Sequence, residues 1–454
     1  MSDAGKSGLQ IIEATSASRV SGFRNCKHGA FSYRPVENLI SEQLPEPPRR
    51  WRFLPFPWVK WVFRFAAAGA LGVFAGFYEQ AEGQFLSREH PVTSDEVKIG
   101  MSVPESGRIG GIGAEVRQGC AAYIAKVNRE GGVAGRRLML IDYDDRDEPI
   151  DTVANVEHLV DRDKVFALLD FYGTPTLQAI MPMVDDSNMI LFGPICGSPF
   201  LAKPTERLIF WTRPSYEDEA ELLVSHLVTD LSFRRIAVFR QDDIYGDEGK
   251  TAVVEALMNH GLSLQGDCTY VPSSVEAQDA AYQMAKMKPE AVIMFGSYKP
   301  CANFVREAKQ FGLTKTVFCA VSTVGTELLI KYLVNGSEGV VISQVVPSPN
   351  DDSLPLVRDY QEDMRATGSV DFTYMGLEGY INCVAFVAGL RQVGRDLTED
   401  ALVDALDHLT IDFRVLKIQF SPDARVASHK VFLTAVEHDR AVPVARLKLP
   451  GSAE

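Results

Sequence analysis

The stretch VFALLDFYGTPTLQAIMPMVDDSNMILFGPICGSP, residues 165–199, contains two apolar runs, each ending in a small, polar, glycine-bearing turn. VFALLD runs into Tyr172-Gly173-Thr174-Pro175, and MILFG runs into Gly193-Pro194-Ile195-Cys196-Gly197-Ser198. Short apolar runs bounded by turn residues read as strands buried on both faces. The intervening 175–186 reads as a helix. Turns at the ends of two successive buried strands either connect elements or present backbone N–H groups to a ligand, and the rest of the chain decides between these.

The same alternation extends in both directions. Upstream, VKIGMSV (97–103) reads as a strand. AEVRQGCAAYIAKVNREGG (114–132) reads as a helix with Val116, Cys120, Ile124 and Val127 on one face, stopped by Gly131-Gly132. LMLIDYD and DTVANVEHLVDRD follow as strand and helix. Downstream, after LIFWTRPSY, the pattern restarts with helix 217–230, strand RIAVFR, helix 246–260, strand AVIMFG, helix 299–311, and strands TVFCA and GVVISQ. Strands separated by helices imply parallel sheets with right-handed crossovers. Two such sets imply two α/β lobes. Beyond Pro347, helices at 354–366, 376–393 and 398–409 precede three short strand candidates, VLKIQF, KVFLTAV and VPVARL. That tail is expected to cover the first lobe and then pair with the second.

Composition narrows the class. The 454 residues are long enough for several domains, and 46% hydrophobic content supports sizeable cores. A formal charge of −14 argues against nucleic acid as a partner. Residues 1–64 nevertheless carry ten Lys/Arg against five Asp/Glu. A basic leader before an acidic body is the pattern of an exported protein. Residues 1–48 read as disordered. The uncharged 65–78, preceded by Arg49, Arg50, Arg52, Lys60 and Arg64, suits a signal-peptide apolar region or an uncleaved anchor. The seven cysteines show no metal-ligand spacing, so neither metal nor cofactor is expected.

The ordered set VKIGMSVPESG, NREGGVAGRRLMLIDYDDRDEP, VDRDKVFALLDFYGTPT, ILFGPICGSPFL, QDDIYGDEGKTAVVEAL and FGSYKPCANFVREAKQFG resembles the type I periplasmic solute-binding proteins. The likeness is to their branched-chain amino-acid/amide-binding family, which serves ABC importers, and it spans 97 to about 447. It implies a two-lobed α/β fold, each lobe a parallel sheet flanked by helices, with three hinge crossings and a cleft that closes on a small solute. The expected lobes are 97–214 plus 347–413, and 215–346 plus 414–448. The implied partners are the membrane permease and ATPase subunits. The implied role is solute capture rather than catalysis, with a ligand sensor of the same fold as the alternative.

By the same resemblance, Gly173 and Thr174 match the turn that grips the ligand carboxylate. Ile195, Cys196 and Gly197 match a second main-chain contact. Ser106, with Gly107, borders the cleft from the first-strand loop. Tyr245 and Tyr298 match the aromatic pair of the second lobe, and Tyr216 adds to the wall. Family members that bind amino acids carry a Glu after the strand matching TVFCA; here Val321-Ser322-Thr323 has no acid. Ser322 is therefore expected at the ligand without a charge, and either the ligand is not an ordinary α-amino acid or Asp170, Asp242 or Asp243 supplies the carboxylate. Aliphatic amino acids are expected to bind poorly, and a neutral amide or plain carboxylate to bind better. Asp142-Asp144-Asp145 and Asp242-Asp243 otherwise read as solvated loop ends. Gly110-Gly113 lacks a nucleotide-binding spacing, and Ser198 and Ser322 lack the hydrolase elbow.

Overall fold

The computed structural model of the chain describes residues 92–202, 207–334 and 336–449. The leader, with its apolar stretch at 65–78, lies outside the described residues. Among the described residues no helix is long and apolar enough to cross a membrane.

The first set of elements runs β1 (Glu96–Val103), α1 (Ile112–Arg129), β2 (Arg137–Asp144), α2 (Pro149–Glu157), β3 (Ala167–Leu169), α3 (Thr174–Ser187), β4 (Ile190–Phe192) and β5 (Ile209–Phe210). Their strands form one sheet in the order β2-β1-β3-β4-β5, with every neighbouring pair parallel. All residues of β3 and β4 are buried. That accounts for their unbroken apolar sequence, since helices cover both faces of a parallel sheet.

The second set runs α4 (Tyr216–Thr229), β6 (Ile236–Gln241), α5 (Ile244–Asn259), β7 (Asp267–Tyr270), α6 (Gln278–Met287), β8 (Ala291–Phe295), α7 (Tyr298–Gln310), β9 (Val317–Ala320), α8 (Thr326–Leu333) and β10 (Val340–Gln344). The helices α9 (Pro355–Ala366), α10 (Tyr374–Val393) and α11 (Glu399–Leu406) come next. Strands β11 (Thr410–Asp412), β12 (Lys417–Gln419), β13 (Phe432–Glu437) and β14 (Arg440–Pro443) end the described chain. The second sheet has the order β14-β13-β10-β9-β8-β6-β7. Its β6–β10 strands are parallel, whereas β13 pairs antiparallel with β10 and with β14. The unit β7–α6 is absent from the sequence reading because DCTY is short and only its Tyr270 is buried.

Helix α10 packs on α1 and is buried at most positions, so its sequence is apolar nearly all round. Two helix starts are set by local chemistry. Ser215 opens α4 with a reciprocal capping box: its Oγ accepts from the Asp218 N–H (3.2 Å), and Asp218 Oδ2 accepts from the Ser215 N–H (3.1 Å). Asp243 caps α5 by accepting from the Gly246 N–H at 3.3 Å.

One expected boundary shifts. Residues 414–427 were expected with the second lobe, yet β12 pairs with β11 and not with the second sheet. The Phe420 ring lies 5.9 Å from Phe192 and 5.3 Å from Phe210, both in first-sheet strands. The Trp211 N–H donates to the Arg425 carbonyl (2.9 Å), and the Ala427 N–H donates to the Trp211 carbonyl (2.8 Å). An apolar strand run does not encode which of two sheets it joins; the gap filled by Phe420 decides it.

Candidate functional site

The carboxyl ends of the parallel strands in both sheets face a common cleft, where open α/β sheets bind ligands. A cavity of about 30 Å³ lies there. The first sheet contributes Ile109 after β1, Asp147 after β2, Tyr172–Pro175 after β3 and Ile195 after β4. The second contributes Gln241 at the end of β6, Tyr245, Ser297 after β8 and Thr323 after β9, with Tyr216 entering from the segment between the sheets. A ligand pocket usually measures hundreds of cubic ångströms, so these two walls stand closed on each other. Contacts among the described residues hold them, including Tyr172 Oη donating to the Thr323 carbonyl (2.7 Å), Tyr298 Oη donating to the Gly110 carbonyl (2.8 Å), and Arg108 donating to the Pro272 carbonyl.

Helix α3 points its N-terminus into the cavity. Its first intrahelical bond runs from the Leu177 N–H to the Gly173 carbonyl (3.1 Å). The N–H groups of Thr174 and Thr176 precede that bond and have no acceptor within the helix, and Pro175 has none to offer. Gly173 adopts φ 96°, a left-handed conformation that glycine reaches without strain. Thr174 and Pro175, the first two residues of the helix, line the cavity. Such an end suits a carboxylate.

Hydroxyl groups surround this helix end. Thr174 Oγ1 and Tyr216 Oη share a hydrogen bond of 3.0 Å, with the Cys196 thiol 3.3 Å from Thr174 Oγ1. Burial raises the Cys196 pKa to about 11, against opposing hydrogen bonds from Thr174 and Tyr216, so the thiol stays neutral. Gly197 is small because Tyr216 needs the room: a Cβ there would overlap its ring. Opposite, Tyr245 Oη bonds Thr323 Oγ1 (2.9 Å), and Tyr270 Oη donates to Gln241 Oε1 (2.7 Å) while accepting from the Ser297 N–H (3.1 Å).

Of the residues singled out in the sequence, Gly173, Thr174, Ile195, Tyr216 and Tyr245 line this cavity together. Cys196 and Gly197 stand directly behind it. The other three lie elsewhere. Ser106 is exposed and donates to Asp144. Tyr298 clasps Gly110, and its neighbour Ser297 takes the cavity position. Ser322 is one residue off: Thr323 lines the cavity, while Ser322 Oγ donates to Glu219 Oε1 at 2.9 Å.

Ser322 belongs to a buried ionic knot at the crossings. Arg213 Nη2 lies 3.2 Å from Glu219 Oε1, and Nη1 lies 3.2 Å from Glu378 Oε1, with all three side chains almost wholly buried. Glu219 Oε2 also accepts from the Ser322 N–H (2.7 Å) and Ser343 Oγ (2.6 Å). Burial alone would lower the Arg213 pKa, but Glu378 and Glu219 raise it. The first crossing is thereby tied to β9, β10 and α10.

None of the acids proposed from sequence lines the cavity. Asp170 Oδ1 accepts from Asn382 Nδ2 (2.7 Å), Asp243 caps α5 and accepts from Gln241, and Asp242 is largely exposed. Asp147 does line it, and sequence reasoning missed it inside the run DYDDRDEP. The cavity thus has an acid at a position other than the three offered from sequence, and the expectation that aliphatic amino acids bind poorly loses its premise. Burial raises the Asp147 pKa to about 8; Arg108 opposes the rise, and Asp145 and Asp243 add to it.

A larger surface concavity of about 1040 Å³ lies outside the cleft, lined by Glu327, Lys331, Tyr374, Asp439 and Arg440 among others. There the N-terminal amide of α10 is already satisfied, since Tyr374 N–H faces both Glu327 carboxylate oxygens at 3.3 and 3.4 Å.

The sequence profile of a family described as periplasmic binding protein matches residues 96–441. The chain belongs to that family. It is similar to the Leu/Ile/Val/Thr-binding protein of Salmonella typhimurium, 22% identical over 284 residues that cover 62% of this chain and 76% of the relative. The leucine-, isoleucine-, valine-, threonine- and alanine-binding protein of Pseudomonas aeruginosa is 24% identical over 257 residues, covering 56% and 67%. Among solved structures, a possible leucine/isoleucine/valine-binding protein from Rhodopirellula baltica superposes with a TM-score of 0.74 at 29% identity, covering 79% of this chain and 98% of its own. A leucine-binding protein from Thermotoga maritima gives 0.67 at 17% identity, covering 77% and 98%, and shares the fold.

Proposed function

We propose that this family member is the extracytoplasmic solute receptor of an ABC-type importer and captures a small, carboxylate-bearing solute of the amino-acid class between its lobes. The observation that carries the reading is the N-terminus of α3, which lines a cavity walled from both sheets and whose Thr174 and Thr176 amides lack intrahelical acceptors. The small cavity fits the closed member of an open–closed pair, in which solute enters the open cleft and the walls shut on it. Relatives named for leucine, isoleucine and valine binding support the solute class. The permease and ATPase subunits are the downstream partners, and the apolar segment at 65–78 directs or anchors the chain across the membrane.

A thermal-shift screen tests the solute class. A solute at a thousandfold excess over Kd stabilises the native state by about 4 kcal/mol. At least one small L-amino acid is expected to raise Tm clearly, whereas sugars and nucleosides do not. A panel in which no carboxylate-bearing solute shifts Tm overturns the reading. For localisation, a reporter fused after Ser94 is expected to be active only outside the cytoplasm.

A further inference from the structure

An α-amino acid held in a closed cleft brings an ammonium as well as a carboxylate, and a buried charge without a counter-charge is costly. Among the described residues that line the cavity, Asp147 is the one with a formal charge. Its Oδ1 sits 3.4 Å from the point where a Cβ would project from Gly173, beside the turn that opens α3. The two charged groups of an α-amino acid are one carbon apart. An amine anchor must therefore stand next to the carboxylate site, and Asp147 does.

The loop spends conformational energy to place this side chain. Arg146 and Asp147 both adopt left-handed backbone, with φ 54° and 64°. The turn is held from beneath by Asp145, whose Oδ1 accepts from the Asp147 N–H (3.0 Å) and whose Oδ2 accepts from Ser102 Oγ (2.9 Å). The Asp147 carboxylate, in contrast, accepts no hydrogen bond among the described residues. The nearest guanidinium, Arg108, stands 3.9 Å away and is shared with Glu148 at 3.6 Å and the Pro272 carbonyl. A carboxylate held in a strained loop against a cavity, short of partners, is arranged for a cation that arrives from outside.

We infer that Asp147 is the counter-ion for the solute's amine, supplied from the first-sheet side of the cleft, and that it makes the site select α-amino acids over carboxylates of the same side chain. The inference rests on the reading above that this cleft binds a small solute through its carboxylate. The turn after β9 has no acid to offer, so the charge comes from the opposite wall. Burial raises the Asp147 pKa in the closed cleft, and a bound ammonium reverses that tendency by favouring the ionised form.

Isothermal titration of the purified protein with L-leucine, L-valine and L-alanine, each paired with its deamino counterpart (isocaproate, isovalerate and propionate), tests this. Removing one partner of a buried charge pair usually weakens binding by roughly thirtyfold or more. At least one amino acid is therefore expected to bind tighter than its counterpart by about that factor in the unaltered protein, a comparison that needs no variant. Asp147→Asn is expected to weaken the amino acid by a similar factor and its counterpart by less than about threefold, whereas Thr174→Ala weakens both alike. A counterpart that binds as tightly as its amino acid, or an Asp147→Asn variant that loses both or neither, overturns the role of Asp147 and leaves the cleft as a carboxylate site. Failure of all six compounds to bind overturns the role of Asp147, and failure of every carboxylate-bearing solute in the thermal-shift panel overturns the cleft reading as well.

Discussion

The phenol of Tyr172, just past β3 of the first sheet, donates to the backbone carbonyl of Thr323, just past β9 of the second, at 2.7 Å. Thr323 takes its second tyrosine, Tyr245, on the side-chain hydroxyl at 2.9 Å. One residue thus joins the walls and orders the cavity. Tyr172→Phe keeps the ring and removes the bridge. A single hydrogen bond of this kind contributes about 0.5–1.5 kcal/mol. Solute Kd is expected to rise by that amount, roughly twofold to twelvefold, with a larger radius of gyration in small-angle scattering of the free protein. An unchanged Kd and radius would show that closure does not use this bond.

The ionic knot makes a different prediction. Arg213, Glu219 and Glu378 are buried, and loss of Glu219 breaks one of the two ion pairs that Arg213 makes. Breaking such a pair costs roughly 3–5 kcal/mol. Glu219→Gln is expected to lower the urea midpoint accordingly, because Glu219 also holds Ser322 and Ser343. A fully neutral replacement, Arg213→Met with Glu219→Gln and Glu378→Gln, should recover part of the loss. A midpoint shift below about 1 kcal/mol in Glu219→Gln would mean the crossings are held by packing alone.

Gly197 acts through its neighbour. A Cβ at this position would overlap the Tyr216 ring, which lines the cavity. Gly197→Ala is expected to cost about 1–3 kcal/mol of stability through overpacking and to weaken solute binding by displacing the phenol that bonds Thr174. Wild-type binding in this variant would show that the Tyr216 position is not needed.

Acidity should influence stability in an unusual direction. Burial raises Asp147 to about 8 and Glu115 to about 8, with Glu327 adding to the rise at Glu115, and raises Glu327 itself to about 7. Each native pKa lies above the unfolded value, so between pH ~4 and ~8 the native state holds more protons than the unfolded state. Their contribution is full below the unfolded pKa and is lost as pH rises through 7 to 8. Tm of the solute-free protein is expected to fall from pH 5 to pH 8.5, and Glu115→Gln is expected to flatten the slope. A Tm that rises over this range contradicts the assignment.

Much of the architecture was legible because buried parallel strands leave an unmistakable record. VFALLD, MILFG, RIAVFR and AVIMFG are apolar on both faces, and each is a strand end that feeds the cleft. The turn Gly173-Thr174-Pro175 was readable for the same reason. Asp147 was not, because one acid in the run DYDDRDEP differs from its neighbours only in backbone conformation, and left-handed φ values at Arg146 and Asp147 have no signature there. In the turns Ser322-Thr323 and Ser297-Tyr298, the residue that lines the cavity is one position from the one the sequence points to. Consecutive side chains at a strand end point in different directions, so a motif match fixes the turn but not the residue that faces inward.

The most direct test of the central claim is a crystal structure of the protein grown with the amino acid that gives the largest thermal shift. Solute is expected to lie between the two sheets, with its carboxylate within hydrogen-bond distance of the Thr174 and Thr176 amides and its body against Tyr216 and Tyr245. Solute bound instead in the outer concavity beside Glu327 and Arg440, with none at the α3 N-terminus, would contradict it.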